Sequence, residues 1–284
     1  MPTQHTMGSC CLSGAIATGT TTGTEREIAG LPTYVAEPSD KSKAKTIIFL
    51  PDAFGWKLNN IRLLADKYAE AGFTAYVPDV HNGDSLSPSL LTSVEPTLPA
   101  KEQMSFLAKT LATLRAGASL GPWLLRHREA VARPVIEAYI TNVRTIPGTE
   151  KVGVLGFCWG GRYAILAAQK PFSGQNGKGV DAAYTAHPSL CAIPGDFEEV
   201  SVPLSVALGE KDSYLGESDV NKIREIMRKK LEGEQGVKCD GEVVVYKDQV
   251  HGFALRGDQE NEKDKKALDD AAQQGIDWFK KFLA

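Results

Sequence analysis

The sequence predicts an α/β protein built on a mostly parallel central sheet with helices on both faces. Three observations lead there. Short, continuously apolar runs such as Lys45–Leu50, Phe73–Val77 and Lys151–Leu155 suit strands buried on both sides. Segments with apolar residues three and four apart alternate with them, and strand–helix–strand units of this size imply parallel pairing. The composition of the 284 residues, 42% hydrophobic and 24% charged, is that of an ordinary soluble domain. Collagen-like, coiled-coil and disordered readings are thereby excluded for the chain as a whole.

Residues 1–24 read as an irregular N-terminal arm, Gly/Thr/Ala-rich from Ser13 onward and expected to be the most mobile segment. Residues 25–284 read as one domain. Its first firm strand, Lys45–Leu50, runs into Pro51-Asp52-Ala53-Phe54-Gly55. A helix follows with Ile61, Leu64, Ala65 and Tyr68 on one face, closed by Gly72. Phe73–Val77 is the next strand, stopped by Pro78-Asp79. From about 84 to 148 no strand signal appears. Met104, Leu107, Leu111 and Leu114 predict one helix, Gly117 to Pro122 an interruption, and a second helical run is expected to kink or break at Pro134. This is a helical excursion over the carboxyl edge of the sheet, where pockets form. Alternation then resumes: strand Lys151–Leu155, helix Gly160–Gln169, strands Val180–Tyr184 and Pro203–Leu208, helix Val220–Leu231, strand Glu242–Tyr246 and a closing helix Lys265–Leu283.

Thirty-two basic and thirty-five acidic residues leave a net charge of −3, so no global basic field argues for nucleic acid or an anionic membrane. No stretch reaches the roughly 18 apolar residues of a membrane span, and the N-terminus lacks a secretory pattern. Five cysteines, an odd and low count, fit a reducing compartment better than a disulfide scaffold. The expectation is a cytoplasmic protein, monomeric or homodimeric, acting on a small molecule.

Chemistry concentrates at Gly156-Phe157-Cys158-Trp159-Gly160-Gly161, between an apolar strand and a helix. The pattern G-x-[Ser/Cys]-x-G in that place is a nucleophile elbow: a turn so sharp that the nucleophile is strained and the residues two either side have no room for side chains. Cys158 would also sit at a helix N-terminus, where the dipole favours thiolate. Such a nucleophile needs an acid and then a histidine later in the chain. Gly209-Glu210-Lys211-Asp212 follows one strand and His251-Gly252-Phe253 follows the last. His251 can take the thiol proton while Asp212 holds its tautomer, with Glu210 as the competing acid. His81 and His187 also follow strands and could reach the pocket, although a loop or capping role suits each. His127, in Arg126-His127-Arg128, reads as a solvated helix face. No histidine pair has metal-ligand spacing, so neither a metal nor another cofactor is expected.

These residues resemble the dienelactone hydrolases (carboxymethylenebutenolidases), cysteine-nucleophile members of the α/β-hydrolase fold, and in particular their fungal branch. The likeness rests on Gly156–Gly161, Gly209–Asp212 and His251–Phe253, with Phe54-Gly55, Pro78-Asp79 and Asn82-Gly83-Asp84 in support, and it spans about Thr33 to the C-terminus. It implies Cys158 as nucleophile, His251 as base, Asp212 as acid, and the backbone N–H groups of Trp159 and Ala53 as oxyanion hole. Bacterial members place a glutamate near the thiol where this chain has Asp52, one methylene shorter. They hold a substrate carboxylate with two arginines; Arg256 lies near one of those positions at a different offset from His251. Phe54, His81 and His187 complete the candidates for substrate contact.

The resulting expectation is hydrolysis of an ester, lactone or thioester through an S-acyl intermediate. The same apparatus would serve cyclisation or acyl transfer in a biosynthetic, polyketide-type pathway if an internal nucleophile meets the acyl-enzyme before water. A non-catalytic small-molecule binding protein on the same scaffold is the reading from another class.

Overall fold

The computed structural model describes residues 14–93, 118–173, 179–233 and 238–284. Met104, Leu107, Leu111 and Leu114 lie outside the described residues, as do His5, Cys10 and Cys11. Among the described residues one eight-stranded sheet organises the fold, in the order β1 (Thr24–Ile28), β2 (Leu31–Ala36), β4 (Thr74–Pro78), β3 (Lys45–Leu50), β5 (Lys151–Phe157), β6 (Ala182–Ala186), β7 (Leu204–Gly209), β8 (Gly241–Tyr246). β4, β3 and β5 to β8 pair in parallel, as the apolar runs require. β1 and β2 add an antiparallel edge. With its helices on both faces, this is the α/β-hydrolase fold.

α1 (Asn59–Glu70) and α5 (Glu262–Phe282) pack on one face; α3 (Trp159–Ala167) and α4 (Glu217–Glu232) pack on the other, with α2 (Glu129–Arg144) behind α3. Each turns an apolar stripe inward, such as Ile61, Leu64, Ala65 and Tyr68 on α1 and Ala272, Ile276 and Phe279 on α5. Glycine sets the closeness at one layer: a Cβ on Gly153 would lie 2.6 Å from the Phe279 ring. The core is one cluster running from Tyr34 to Leu283.

Several local expectations change. The hairpin β1–β2 leaves no strand pattern in the sequence because β1 is polar and exposed and β2 carries Pro32; its two-residue turn is Ala29-Gly30, both with positive φ (53° and 87°). Gly121 and Pro122 do not interrupt a helix: residues 118–126 are helical. Nor does Pro134 break α2, which runs through it, since the missing N–H removes a single backbone bond from a helix also held by Ala132, Ile136, Tyr139, Ile140 and Val143 in the core. Residues 14–23 carry no strand or helix, yet they are fastened to the domain. The Asn60 side chain accepts from Ala17 N (3.0 Å) and donates to Ala15 O (3.0 Å) and Leu255 O (2.9 Å), and Thr22 N donates to Asp66 Oδ2 (2.8 Å).

The strand order reverses around β3, with β4 on one side and β5 on the other. Clefts in open α/β sheets form beyond the carboxyl ends of strands at such a point. The register brings Leu50 level with Gly156, and Phe157 with Ala186, so the segments after β3, β5 and β6 leave the sheet side by side.

Candidate active site

Cys158 stands between β5 and α3 with φ 52° and ψ −116°, an unfavourable backbone for a residue with a Cβ. The flanking glycines make it possible. A Cβ on Gly156 would lie 2.3 Å from Gly160 O, and one on Gly160 would lie 2.3 Å from Leu50 O. No side chain fits at either position. The thiol is fully buried.

Strand ends deliver its partners. After β7, Asp212 Oδ1 accepts Tyr214 N (2.9 Å), which leaves Oδ2 facing His251 Nδ1 at 2.9 Å. After β8, the loop to His251 is tied to the Asp212 loop: Lys211 N donates to Gln249 O (2.8 Å), and Gly209 leaves the space for Gln249, whose carbonyl oxygen would be 2.4 Å from a Cβ there. The Tyr214 ring meets His251 in a T-shaped contact, 4.7 Å between centroids. Burial, the largest single influence, disfavours a charged His251. The Asp212 charge, the Cys158 sulfur and hydrogen bonds to both together outweigh it and hold the imidazole well above its ordinary pKa. Glu210 is elsewhere: its Oε2 accepts Asp248 N at 2.9 Å, stapling the loop before His251.

Asp52, Phe54 and Arg256 form a second buried group. Arg256 Nη1 pairs with Asp52 Oδ2, Phe54 N donates to Asp52 Oδ1 (2.9 Å), and the guanidinium lies 5.2 Å from the Phe54 ring centroid. Burial raises the Asp52 pKa; Arg256 opposes this, and the nearby Cys158 sulfur adds to it. Ala53 and Trp159 end up at the tips of adjacent strands β3 and β5. Trp159 is the first residue of α3, where backbone N–H groups have no intrahelical acceptor.

His81 lies beside this group, its ring 4.6 Å from Trp159 and its Nδ1 3.1 Å from Ser85 Oγ. Burial, helped by nearby His127 and opposed by Asp84, drops its pKa to about 3, so it is neutral. His187 contacts His251 ring to ring at 5.0 Å and is held neutral by burial and by the charges of His251 and Arg256. Neither of its ring nitrogens has a hydrogen-bond partner among the described residues. His127 is not the solvated residue expected. It is buried against Trp123, 4.5 Å between rings, with Nε2 3.0 Å from Asp84 Oδ2, because the helical stretch over 118–126 sets it among the His81, Trp123 and Trp159 rings.

Three contributors carried no sequence signal of their own. Ser189 Oγ is 3.5 Å from Cys158 Sγ, Tyr214 packs against His251, and Asn60 bridges the N-terminal arm to the short helix Phe253–Arg256. A cavity of about 190 Å³ reaches His251 and Arg256 between Gly14, Gln249 and Asp264. Another, of about 430 Å³, is lined by His81, His127, Arg126 and Val135. The larger cavity of about 800 Å³ beside Pro194 and Glu225 borders neither Cys158 nor His251. Among the described residues, no group of three or more His, Cys, Asp or Glu is placed to hold a metal, and no helix is long and apolar enough to cross a membrane.

Residues 31–283 match the family described as the dienelactone hydrolase family. The chain is 26% identical to hydrolase pyvD of Aspergillus violaceofuscus, across 96% of each chain. It is likewise 26% identical to the carboxymethylenebutenolidase homolog of Homo sapiens, across 92% of this chain and 91% of that one. In fold it is similar to the dienelactone hydrolase of Anabaena variabilis, with a TM-score of 0.59 at 16% identity, covering 93% of this chain and 99% of that one.

Proposed function

The chain belongs to the dienelactone hydrolase family, and we propose that it hydrolyses a small ester, lactone or thioester with Cys158 as nucleophile. One observation carries the reading: a strained, glycine-flanked thiol hydrogen-bonded to a buried His251 that itself faces Asp212 at 2.9 Å. The raised pKa of His251 favours an imidazolium beside a thiolate. The thiolate attacks the substrate carbonyl carbon, and the oxyanion sits toward the N–H groups of Trp159 and Ala53. The C–O (or C–S) bond to the leaving group breaks as His251 gives it a proton. Water then loses a proton to His251 and attacks the S-acyl carbon, the C–S bond breaks, and the acid and thiolate are released. Asp212 holds the proton of His251 on Nδ1 throughout, so that Nε2 does the exchanging.

Burial of the thiol supports a second outcome of the same chemistry. With Cys158 shut away from solvent, the hydroxyl of an acyl group that carries one can lose its proton to His251 and attack the S-acyl carbon before water does; the C–S bond breaks, the thiolate is released and the product is a ring. Arg256 does not stand as an isolated cation awaiting a substrate carboxylate. It is paired with Asp52, which supports a structural part in holding that carboxylate beside the thiol.

The test is Cys158→Ala together with intact-mass analysis of the wild type mixed with activated esters. The reading expects a covalent acyl adduct on Cys158 in the wild type and loss of hydrolysis in the variant. Hydrolysis by Cys158→Ala at the wild-type rate would refute it. Product analysis with a hydroxy ester separates acid from lactone.

A further inference from the structure

After β6 the chain reads Ala186-His187-Pro188-Ser189-Leu190 and is pressed onto the elbow. Cys158 N donates to Ala186 O (3.3 Å), and Ser189 N donates back to Cys158 O (3.0 Å). His187 and Leu190 take positive φ (39° and 61°), unusual for residues with side chains and tolerated where the surroundings fix the conformation. The third glycine of Gly156-Phe-Cys-Trp-Gly-Gly161 explains the closeness. A Cβ on Gly161 would lie 2.8 Å from Thr185 Oγ1 and 3.0 Å from Pro188 Cα, so this glycine admits the loop. Its effect is to place the Ser189 hydroxyl 3.5 Å from Cys158 Sγ, with both residues fully buried.

In a thiol–hydroxyl pair either atom can donate. In a thiolate–hydroxyl pair only the hydroxyl carries a proton. We propose that Ser189 donates a hydrogen bond to the Cys158 thiolate, a second donor beside His251, and is thereby a catalytic residue. This rests on Cys158 being the nucleophile proposed above. The donor acts twice. It favours the thiolate over the thiol before attack, since a hydrogen bond to the charged form lowers its energy, and it eases departure of the thiolate when the S-acyl bond breaks, because a thiol of lower pKa leaves faster. No proton leaves Ser189 in either step.

The effect has a signature that lost packing lacks. A hydrogen bond to a charged acceptor corresponds to about one pH unit in the titration of that acceptor. Thiolate nucleophilicity falls with pKa at a Brønsted slope of about 0.4–0.5, so a unit's shift changes intrinsic reactivity about threefold in the opposite sense. The pH profile of Cys158 alkylation by iodoacetamide, with the ultraviolet thiolate absorbance of the full chain measured against Cys158→Ala, is therefore the test. Ser189→Ala is expected to move the midpoint up by about one pH unit, to slow alkylation about threefold on the acid limb, and to speed it about threefold on the alkaline plateau. Ser189→Thr, which keeps the hydroxyl, is expected to keep the wild-type midpoint. An unchanged midpoint in Ser189→Ala, a profile lowered by one factor at every pH, or a Ser189→Thr profile matching that of Ser189→Ala would overturn the proposal. An ordinary thiol midpoint in the wild type, with hydrolysis retained by Cys158→Ala, would instead sink the nucleophile assignment.

Discussion

Replacing Asp212 with Asn exchanges one oxygen for an NH2 group and removes the charge facing His251. The Asn oxygen still accepts from Tyr214 N, as Asp212 Oδ1 does at 2.9 Å, so the new NH2 points at His251 Nδ1. Nδ1 must then become an acceptor, which moves the imidazole proton to Nε2. That is the tautomer unable to take a proton from the thiol. At 2.9 Å, and at an effective dielectric of about 20, the lost attraction between opposite unit charges is about 6 kcal/mol. Desolvation of the pair offsets part of this, and the usual cost of breaking such a buried pair is about 3–5 kcal/mol. The upshift of His251 would therefore be largely lost, and a wrong tautomer in a triad of this kind lowers turnover about 10⁴-fold. The assay is a pH–rate profile for an activated ester, run beside Glu210→Gln. Glu210 holds Asp248 N and not the histidine, so its variant should stay within about threefold of wild type. A Glu210→Gln enzyme more damaged than Asp212→Asn, or an Asp212→Asn enzyme within about tenfold of wild type, would refute the assignment of the acid.

Gly160→Ala should destabilise the fold by about 1–3 kcal/mol in urea denaturation, because the added methyl meets Leu50 O and Pro51 O at 2.3 and 2.4 Å; a wild-type midpoint would contradict the packing argument. Arg256→Met strands Asp52 in the core and should cost about 3–5 kcal/mol, most of it recovered in the double variant with Asp52→Asn. Equal losses in the single and double variants would count against the pair. His251 is held well above its ordinary pKa, so the folded state keeps a proton that the unfolded chain gives up. Its stability contribution is complete below the ordinary imidazole pKa and fades as pH rises through the folded value. Denaturation of wild type against His251→Gln should show a gap that narrows toward alkaline pH, and a widening gap would reverse the sign of the linkage.

Much of this site was legible because its chemistry is sterically demanding. A cysteine held at positive φ between a strand and a helix forces Gly156 and Gly160 into the sequence, and burial of a parallel sheet forces uniform apolar runs such as Lys45–Leu50 and Lys151–Phe157. Those constraints write themselves into residue type at fixed spacing. Asp212 and His251 were reachable because strand ends can be counted. Ser189 was not, since a serine after a strand is common and only the three-dimensional approach allowed by Gly161 gives it meaning. β1 was hidden for the opposite reason: an exposed edge strand such as Thr-Glu-Arg-Glu-Ile has no buried face to impose alternation. The burial of His127 is not legible because its two arginine neighbours point to solvent, although Arg126 and His127 share one carboxylate, Asp84.

The same constraints show why the site is a property of several loops held together rather than of three residues. The Asp212 loop is joined to the His251 loop by the Lys211–Gln249 bond, and the strained turn at Cys158 is held by Ala186 at its N–H and by Ser189 and Gly161 at its carbonyl. On the far side, Ala15 N donates to Arg256 O (2.9 Å), and Asn60 ties Ala15, Ala17 and Leu255 together. Arg256 then fixes Asp52 within electrostatic reach of the thiol. Residues 14–17 therefore belong to the support of the site although no periodicity or motif marks them. Their contribution passes through backbone hydrogen bonds, which any residue but proline can make. Such a segment is constrained by its path more than by its side chains, apart from Gly14, whose φ of 129° and contact with Arg256 leave no place for a Cβ.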